Sequence, residues 1–189
     1  MTGLKREEKS HIGELNESSF HNQIQSWYAS PGDLLEFKVE KYFIDIMRKG
    51  VLVEIQTGNF SSFRNKLRDL VKRHVIRVVY PIITEKTITV VDKKGKKRYS
   101  RRSPKKENLF TVFNELIRIP DLLSHPNFIL ELLFVKCSEK RRKVKKRYGN
   151  RKGYNLLERK LEKVIESRMF LGRKDYISLL EVEKGEEFT

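Results

Sequence analysis

Asp45 and Glu54 are the two residues whose types and spacing most directly suggest chemistry. They belong to segments 42–48 and 51–57, in which apolar and polar residues alternate as in half-buried β-strands. Only residues 49–50 separate the segments, and a two-residue turn fixes the register of an antiparallel hairpin. Counting back from this turn places Asp45 opposite Glu54, with Cβ atoms about 4.5–5.5 Å apart. Because like charges directly opposite each other destabilise a sheet, we expect this pair to share a divalent cation.

A third acid, Glu17, can reach the same site. It lies near the start of a helix predicted over residues 16–29, on the side that carries the apolar stripe of this helix. On the hairpin, Asp45, Glu54 and Gln56 share one face, and aliphatic residues occupy the other. Acidic oxygens that converge near a backbone carbonyl favour Mg²⁺ or Mn²⁺ over zinc. A metal held there can activate water and neutralise charge on a phosphodiester during hydrolysis.

The charge of the chain points to a polyanionic partner. The 189 residues carry a formal net charge of +16, and 35% of them are charged. Lysine and arginine bind a phosphate backbone by releasing its counterions, so nucleic acid is the first expectation and an acidic membrane surface the second. A phosphodiester substrate would account for both the acidic site and the basic surface.

The cysteine content and the hydropathy of the chain indicate the cellular compartment of the protein. Cys137 is the only cysteine, which excludes a disulfide within the chain and a cysteine-rich zinc site. The first ten residues lack the apolar core of a signal peptide, and the longest apolar stretch, 128–135, is too short to span a bilayer. We therefore expect a cytoplasmic, intracellular protein with no membrane partner.

The elements that position the acids can be read from periodicity. Three strands are predicted at 34–39, 42–48 and 51–57, a helix at 61–74 and a buried strand at 75–80. A strand–helix–strand crossover makes the last strand parallel to the third. Further along we expect a hairpin of 87–92 with 97–102, a helix at 103–117, a buried strand at 128–135 and a helix that begins at Asn155.

Two basic runs, 93–106 and 136–152, contain Glu139 as their only acid. Solvated hairpins would explain them, but the near-absence of acids favours contact with nucleic acid. The predicted nucleic-acid-binding residues are Lys93, Lys94, Lys96, Lys97, Arg98, Arg101, Arg102, Arg141, Arg142, Lys145, Lys146 and Arg147.

The order of these features resembles the PD-(D/E)XK, or restriction-endonuclease-like, nuclease superfamily. The resemblance covers residues 14–81: a helix with Glu17, then Asp45, then Glu54-Ile55-Gln56 on a strand, then a basic helix and a buried strand. It implies that Asp45 and Glu54 bind Mg²⁺ or Mn²⁺, with the carbonyl of Ile55 as a further ligand. Glu17 would support the metal or its water.

One position departs from the family pattern. Gln56 stands where the family usually has lysine, and a neutral amide can orient a water but supplies no charge. Loss of one such electrostatic donor typically costs about 2.7–4 kcal/mol of transition-state stabilisation. Lys66, on the following helix, is a candidate substitute, and Lys38 is a weaker one.

Together these features predict an α/β fold: a small mixed sheet flanked by helices, forming a restriction-endonuclease-like core over residues 13–120. A basic α+β extension over 121–189 follows. The predicted function is a metal-dependent nuclease, a hydrolase of phosphodiester bonds in DNA rather than RNA. A catalytically inactive nuclease-fold module that binds DNA and an RNA-binding or structural basic protein remain the alternatives, and a homodimer stays open. The predicted catalytic residues are Glu17, Asp45, Glu54, Gln56 and Lys66.

Overall fold

A computed structural model describes residues 19–144 and 153–178 of the chain. Within these ranges no helix is long and apolar enough to cross a membrane. The chain forms, in order, α1 (19–28), β1 (Leu34–Val39), β2 (Tyr42–Arg48), β3 (Val51–Ile55), α2 (Arg64–Leu70), β4 (Ile76–Val91), β5 (Lys97–Arg102), α3 (Phe113–Leu116), β6 (Phe128–Lys143), β7 (Tyr154–Phe170) and α4 (Arg173–Ser178). Short 3-10 turns cover Phe60–Ser62 and Leu109–Val112.

The strands form one mixed sheet. The order of its strands is β1-β2-β3-β4-β6-β7. Strand β5 stands outside this order and pairs with β4. The pairs β1–β2, β2–β3 and β4–β5 are antiparallel, whereas β3 and β4 are parallel. The predicted α/β class with a mixed sheet is therefore confirmed.

The hairpin that carries the two acids has the predicted register. Arg48 pairs with Val51, and the pairing continues to Ile46 opposite Val53. The turn residues Lys49 and Gly50 have φ angles of +47° and +82°. Positive φ at both central positions matches the right-handed twist of two paired strands, which is why a Lys-Gly turn closes this hairpin tightly.

The crossover from β3 to β4 positions the next part of the site. The strands β3 and β4 are parallel, as predicted, and Glu54 and Ile55 lie in register with Val78 and Val79. The connecting helix is shorter than the predicted 61–74. Asn59 caps a 3-10 turn by accepting a hydrogen bond from the N–H of Ser61, and α2 follows only from Arg64. Side-chain capping of the turn therefore replaces the first helical turn expected from periodicity alone.

β4 continues past Pro81, where the sequence predicted its end. The carbonyls of Val75 and Val79 accept hydrogen bonds from β3, so every second residue of β4 directs its backbone toward that side. Pro81 has the same parity, and the pairing with β3 has ended at Val79. A proline without an N–H is tolerated where no ladder bond is required of it.

The prediction of a helix that begins at Asn155 is wrong. Residues 154–170 form β7, the edge strand beside β6. Exposed Glu158, Lys160 and Glu162 alternate with half-buried residues, which is the period of a strand. The predicted helix at 103–117 is also largely wrong, because only the 3-10 turn Leu109–Val112 and the four-residue α3 are helical.

The chain groups into two compact units. Among the described residues, one unit comprises 19–29, 81–111, 133–144 and 153–166, and the other comprises 30–80, 112–132 and 167–178. The second unit contains the β1–β3 strands and has a core of fully buried aliphatic residues that includes Ile44, Ile46, Val53, Leu67 and Ile76. The predicted division of the chain into 13–120 and 121–189 stays a prediction.

Candidate active site

Asp45 sits where β2 and β3 stop pairing. The regular ladder ends at Ile46 opposite Val53. One residue further, the Oδ2 atom of Asp45 accepts a hydrogen bond of 2.7 Å from the backbone N–H of Ile55. The side chain thus takes the place of a backbone carbonyl in the ladder. The regular pairing of the two strands does not extend to Asp45 and Glu54, so their facing positions stay a prediction, and the carboxylate of Asp45 is directed at the amide of Ile55.

Glu54 is a buried carboxylate with a lysine partner. Its residue exposure is 7%, and the ammonium of Lys66 donates a hydrogen bond to its Oε1 atom. The same ammonium donates to the backbone carbonyl of Phe43 on β2. Burial of a charge is unfavourable unless the charge is paired, so Lys66 from α2 compensates Glu54. The crossover helix therefore brings a cation to the acid that the sequence singled out.

The side chain of Gln56 is directed toward the loop that follows β3. Its Nε2 atom donates a hydrogen bond of 2.8 Å to the carbonyl of Asn59, and its backbone N–H donates to Val79 at 2.9 Å. It follows the last residue of β3, and its side chain bonds the loop that leads to α2. Lys38 is exposed on β1, in register with Phe43. Glu17 lies outside the described residues.

The donors near the end of the hairpin are hard oxygens. They are the carboxylates of Asp45 and Glu54 and the backbone carbonyl of Ile55. Mg²⁺ typically uses one or two protein carboxylates and completes its shell with water and substrate phosphates, so this set fits Mg²⁺ or Mn²⁺. Over residues 19–144 and 153–178, no group of three or more His, Cys, Asp or Glu side chains could hold a metal ion.

An ion pair and a tyrosine hydrogen bond hold the two ends of the hairpin. Arg48, at its tight turn, donates to Asp33 from Nε at 2.9 Å and from Nη2 at 2.7 Å. These hydrogen bonds hold the pKa of Asp33 below its ordinary value. At the opposite end, the hydroxyl of Tyr42 donates to Asp69 of α2 at 2.6 Å. The hydrogen bonds of Tyr42 and Lys41 likewise lower the pKa of Asp69.

The first basic run forms the predicted β4–β5 hairpin. Asp92 holds its turn by accepting hydrogen bonds from the N–H groups of Lys94 at 2.9 Å and Lys96 at 3.0 Å. Seven predicted nucleic-acid-binding residues are all exposed there: Lys93, Lys94, Lys96, Lys97, Arg98, Arg101 and Arg102. Their charges are open to a partner along one strand and its turn.

The second basic run is organised around an acid that sequence reasoning passed over. Glu139 is 1% exposed, and it binds Arg141 through Nε at 2.7 Å, Arg159 through Nη2 at 3.0 Å and Lys86 at 3.5 Å. Burial raises the pKa of Glu139, but the hydrogen bond of Arg141 and the neighbouring positive charges outweigh this effect and lower it. The sequence feature that could have indicated this role is that Glu139 is the only acidic residue of the second basic run.

The cations of this second run differ in role. Arg141 and Arg142 are half-buried, and Arg141 serves Glu139. Lys145, Lys146 and Arg147 lie outside the described residues. Among the described residues, the predicted nucleic-acid-binding cations are therefore exposed on the β4–β5 hairpin and half-buried on β6.

The fold and site define an α/β protein whose mixed sheet carries Asp45 and Glu54 on neighbouring strands, with Lys66 of α2 bound to Glu54. The chain belongs to the family described as "Domain of unknown function (DUF8091)", whose model matches residues 18–171. An uncharacterized protein of Treponema pallidum (strain Nichols) is 26% identical over 160 residues, which cover 84% of this chain. The chain spans 64% of the length of that relative. No solved structure matches the chain.

Proposed function

We propose that this protein is a metal-dependent nuclease that hydrolyses phosphodiester bonds in DNA and has a restriction-endonuclease-like core. The observation that carries the proposal is that Lys66 binds Glu54 while Asp45 accepts a hydrogen bond from the N–H of Ile55, the residue after Glu54. The order of hairpin, crossover helix and parallel strand agrees with the order on which the superfamily resemblance rests. The net charge of +16 supports a polyanionic substrate.

In this proposal each residue has a defined task. Asp45 and Glu54 would hold Mg²⁺ or Mn²⁺, together with the carbonyl of Ile55. A metal bound there would supply a water of lowered pKa and positive charge beside the scissile phosphate. The N–H of Ile55 keeps the carboxylate of Asp45 in place at 2.7 Å. Glu17 keeps its proposed role of supporting the metal or its water.

Lys66 takes the electrostatic role that Gln56 cannot fill. The amide of Gln56 is neutral and bonds the carbonyl of Asn59. The ammonium of Lys66 contacts Glu54 and therefore lies beside the charge that would develop on a bound phosphate. A preorganised positive charge at that position stabilises the transition state more than the ground state. Gln56 is left to orient water.

The exposed cations of the β4–β5 hairpin would hold the substrate backbone without reading its sequence. Lysine and arginine contacts to phosphates fix position and carry no direct base information. The affinity should therefore fall steeply with salt and depend little on sequence.

A cleavage assay tests the proposal. Supercoiled plasmid and branched oligonucleotides are incubated with the protein and Mg²⁺ or Mn²⁺ at millimolar concentration. Cleavage by the wild type should disappear in Glu54→Gln and in Lys66→Met. The matched control is Glu158→Gln, an exposed glutamate of β7, which should cleave like the wild type. Cleavage that survives Glu54→Gln, or no cleavage with either metal, would refute the assignment.

One observation favours a second candidate, a nuclease-fold module that binds DNA without cutting it. Lys66 already compensates the buried Glu54, and a closed ion pair needs no metal. This candidate predicts DNA binding that is indifferent to EDTA and to Asp45→Asn, together with no cleavage under any condition. The same oligonucleotides, measured for binding and for cleavage, separate the two candidates.

A further inference from the structure

Phe43 is an exposed aromatic residue beside the candidate active site. Its exposure is 62%, although it lies within β2. It precedes Asp45 by two positions, so both side chains leave the same face of the strand, about 7 Å apart along it. A single exposed apolar residue is ordinary on a protein surface. Phe43 is informative because the next side chain on the same face of β2 is the carboxylate of Asp45.

Two lysines adjoin Phe43. Lys38 of β1 pairs with Phe43 in the sheet register, so its side chain lies on the same face. Lys66 donates a hydrogen bond to the carbonyl of Phe43, which ties this residue to the same lysine that binds Glu54. An aromatic face among lysines is the arrangement that binds single-stranded nucleic acid, through stacking for bases and charge for phosphates.

We infer that Phe43 stacks on an unpaired base of a nucleic acid bound beside Asp45 and Glu54, so that the preferred substrate is DNA with a single-stranded segment. This inference rests on the proposed function. Bases within an intact duplex are already stacked on each other and offer no free face to a side chain. A single strand, a flap or a junction offers one.

The charge around Phe43 argues against another occupant, a second copy of this chain. Two copies that met on this face would bring Lys38 of one chain close to Lys38 of the other. Like charges brought together at an interface are unfavourable, whereas a phosphate backbone is complementary to them. The exposed ring therefore fits a nucleic acid better than a self-complementary dimer.

Binding measured without cleavage tests the inference. Fluorescence anisotropy in EDTA compares a labelled oligo-dT strand, a duplex with a single-stranded flap and a blunt duplex. The variants are Phe43→Leu, which keeps an apolar side chain without a ring, and Phe43→Trp, which keeps the ring. The matched control is Phe110→Leu, because Phe110 is 58% exposed and lies outside β1–β3.

The expected result is selective. Phe43→Leu should weaken binding to the single strand and the flap by roughly 5- to 150-fold, the range of one base–aromatic stack. Binding to the blunt duplex should stay within about twofold, as should all binding by Phe110→Leu. Phe43→Trp should restore wild-type affinity. Equal losses on all three DNAs, or no loss, would overturn the inference.

Two further readouts keep this inference separate from the proposed function. Ring-dependent binding without cleavage in Mg²⁺ or Mn²⁺ would support the role of Phe43 and defeat the nuclease. Cleavage that is unchanged in Phe43→Leu on every substrate would support the nuclease and defeat the role of Phe43. Sedimentation of wild type and Phe43→Leu tests the other occupant, because a dimer that becomes a monomer on this substitution would also overturn the inference.

Discussion

Lys66 of α2 and Glu54 of β3 form an ion pair, although they are 12 positions apart in the sequence. The side chain of Glu54 is 9% exposed and that of Lys66 is 19% exposed, so both charges are largely removed from water. Each therefore contributes to the compensation of the other. This mutual compensation makes the pair measurable by stability as well as by activity.

Replacement of Lys66 by methionine should lower the free energy of unfolding by about 1–3 kcal/mol, because a buried carboxylate loses its partner. Urea denaturation measures this change. The double variant Lys66→Met/Glu54→Gln should recover part of the loss, since it removes the stranded charge. Lys72→Met is the control, because Lys72 is exposed and its change should stay within about 0.5 kcal/mol. Equal losses in the two lysine variants would show that Glu54 does not need Lys66.

Asp45 allows stability and activity to be separated. In Asp45→Asn an amide oxygen can still accept the hydrogen bond of Ile55, so the free energy of unfolding should fall by less than about 1 kcal/mol. Asp45→Ala leaves that N–H without its acceptor and should lose about 1–3 kcal/mol. Both variants should lose cleavage, because both lack the negative charge. Equal stabilities of the two variants would contradict the anchoring role assigned to Asp45.

Asp33 should make the protein sensitive to acid. Its pKa in the folded state is lowered from 3.8, chiefly by the hydrogen bonds of Arg48. A lowered folded-state pKa means that the stabilisation is present above the unfolded value and is lost as the pH falls through the folded value. Asp33→Asn should flatten the dependence of unfolding free energy on pH below 3.8. Urea melts at stepped acidic pH measure the slope, and an unchanged slope in Asp33→Asn would count against this origin.

Glu139 should be a stability residue, not a binding one. Glu139→Gln removes the negative charge that Lys86, Arg141 and Arg159 share. The stranded cations should lower the free energy of unfolding by about 3 kcal/mol, measured by thermal or urea unfolding. Adding Arg141→Gln should recover part of it. Glu158→Gln, on the exposed face of β7, is the control, and a loss no larger than in this control would refute the role.

The thiol of Cys137 should be inert in the native protein. Burial raises its pKa to about 11, and the charge of Glu139 adds to this effect. A raised pKa keeps the thiol protonated near pH 8, and only the thiolate is a nucleophile. Modification by a disulfide reagent should therefore be slow in buffer and fast in urea. Prompt stoichiometric labelling of the folded protein would contradict the burial of this side chain.

The hairpin was predictable because its determinants are local. The Lys49-Gly50 turn accepts positive φ and fixes the register of the residues on either side. Strands β1 and β2 have the predicted bounds, and the parallel β4 follows from the handedness rule for crossovers. These features depend on a few neighbouring residues.

β7 was not predictable in the same way. Leu157, Leu161, Val164 and Ile165 fit a helical stripe, and an apparent capping box precedes them. The same residues form an edge strand because β6 provides a partner for pairing. Local propensity is overruled where a neighbouring strand is available.

The amino-acid sequence alone determined the charge and the β2–β3 hairpin with its register, because turn chemistry and period-two alternation act over a few residues. The tertiary structure alone decided that Lys66 compensates Glu54, that Asp45 binds the amide of Ile55 and that Gln56 turns to Asn59. These contacts depend on how α2 returns over the sheet and on where the β2–β3 ladder ends. Such long-range geometry follows from the packing of the core, which no short sequence pattern specifies.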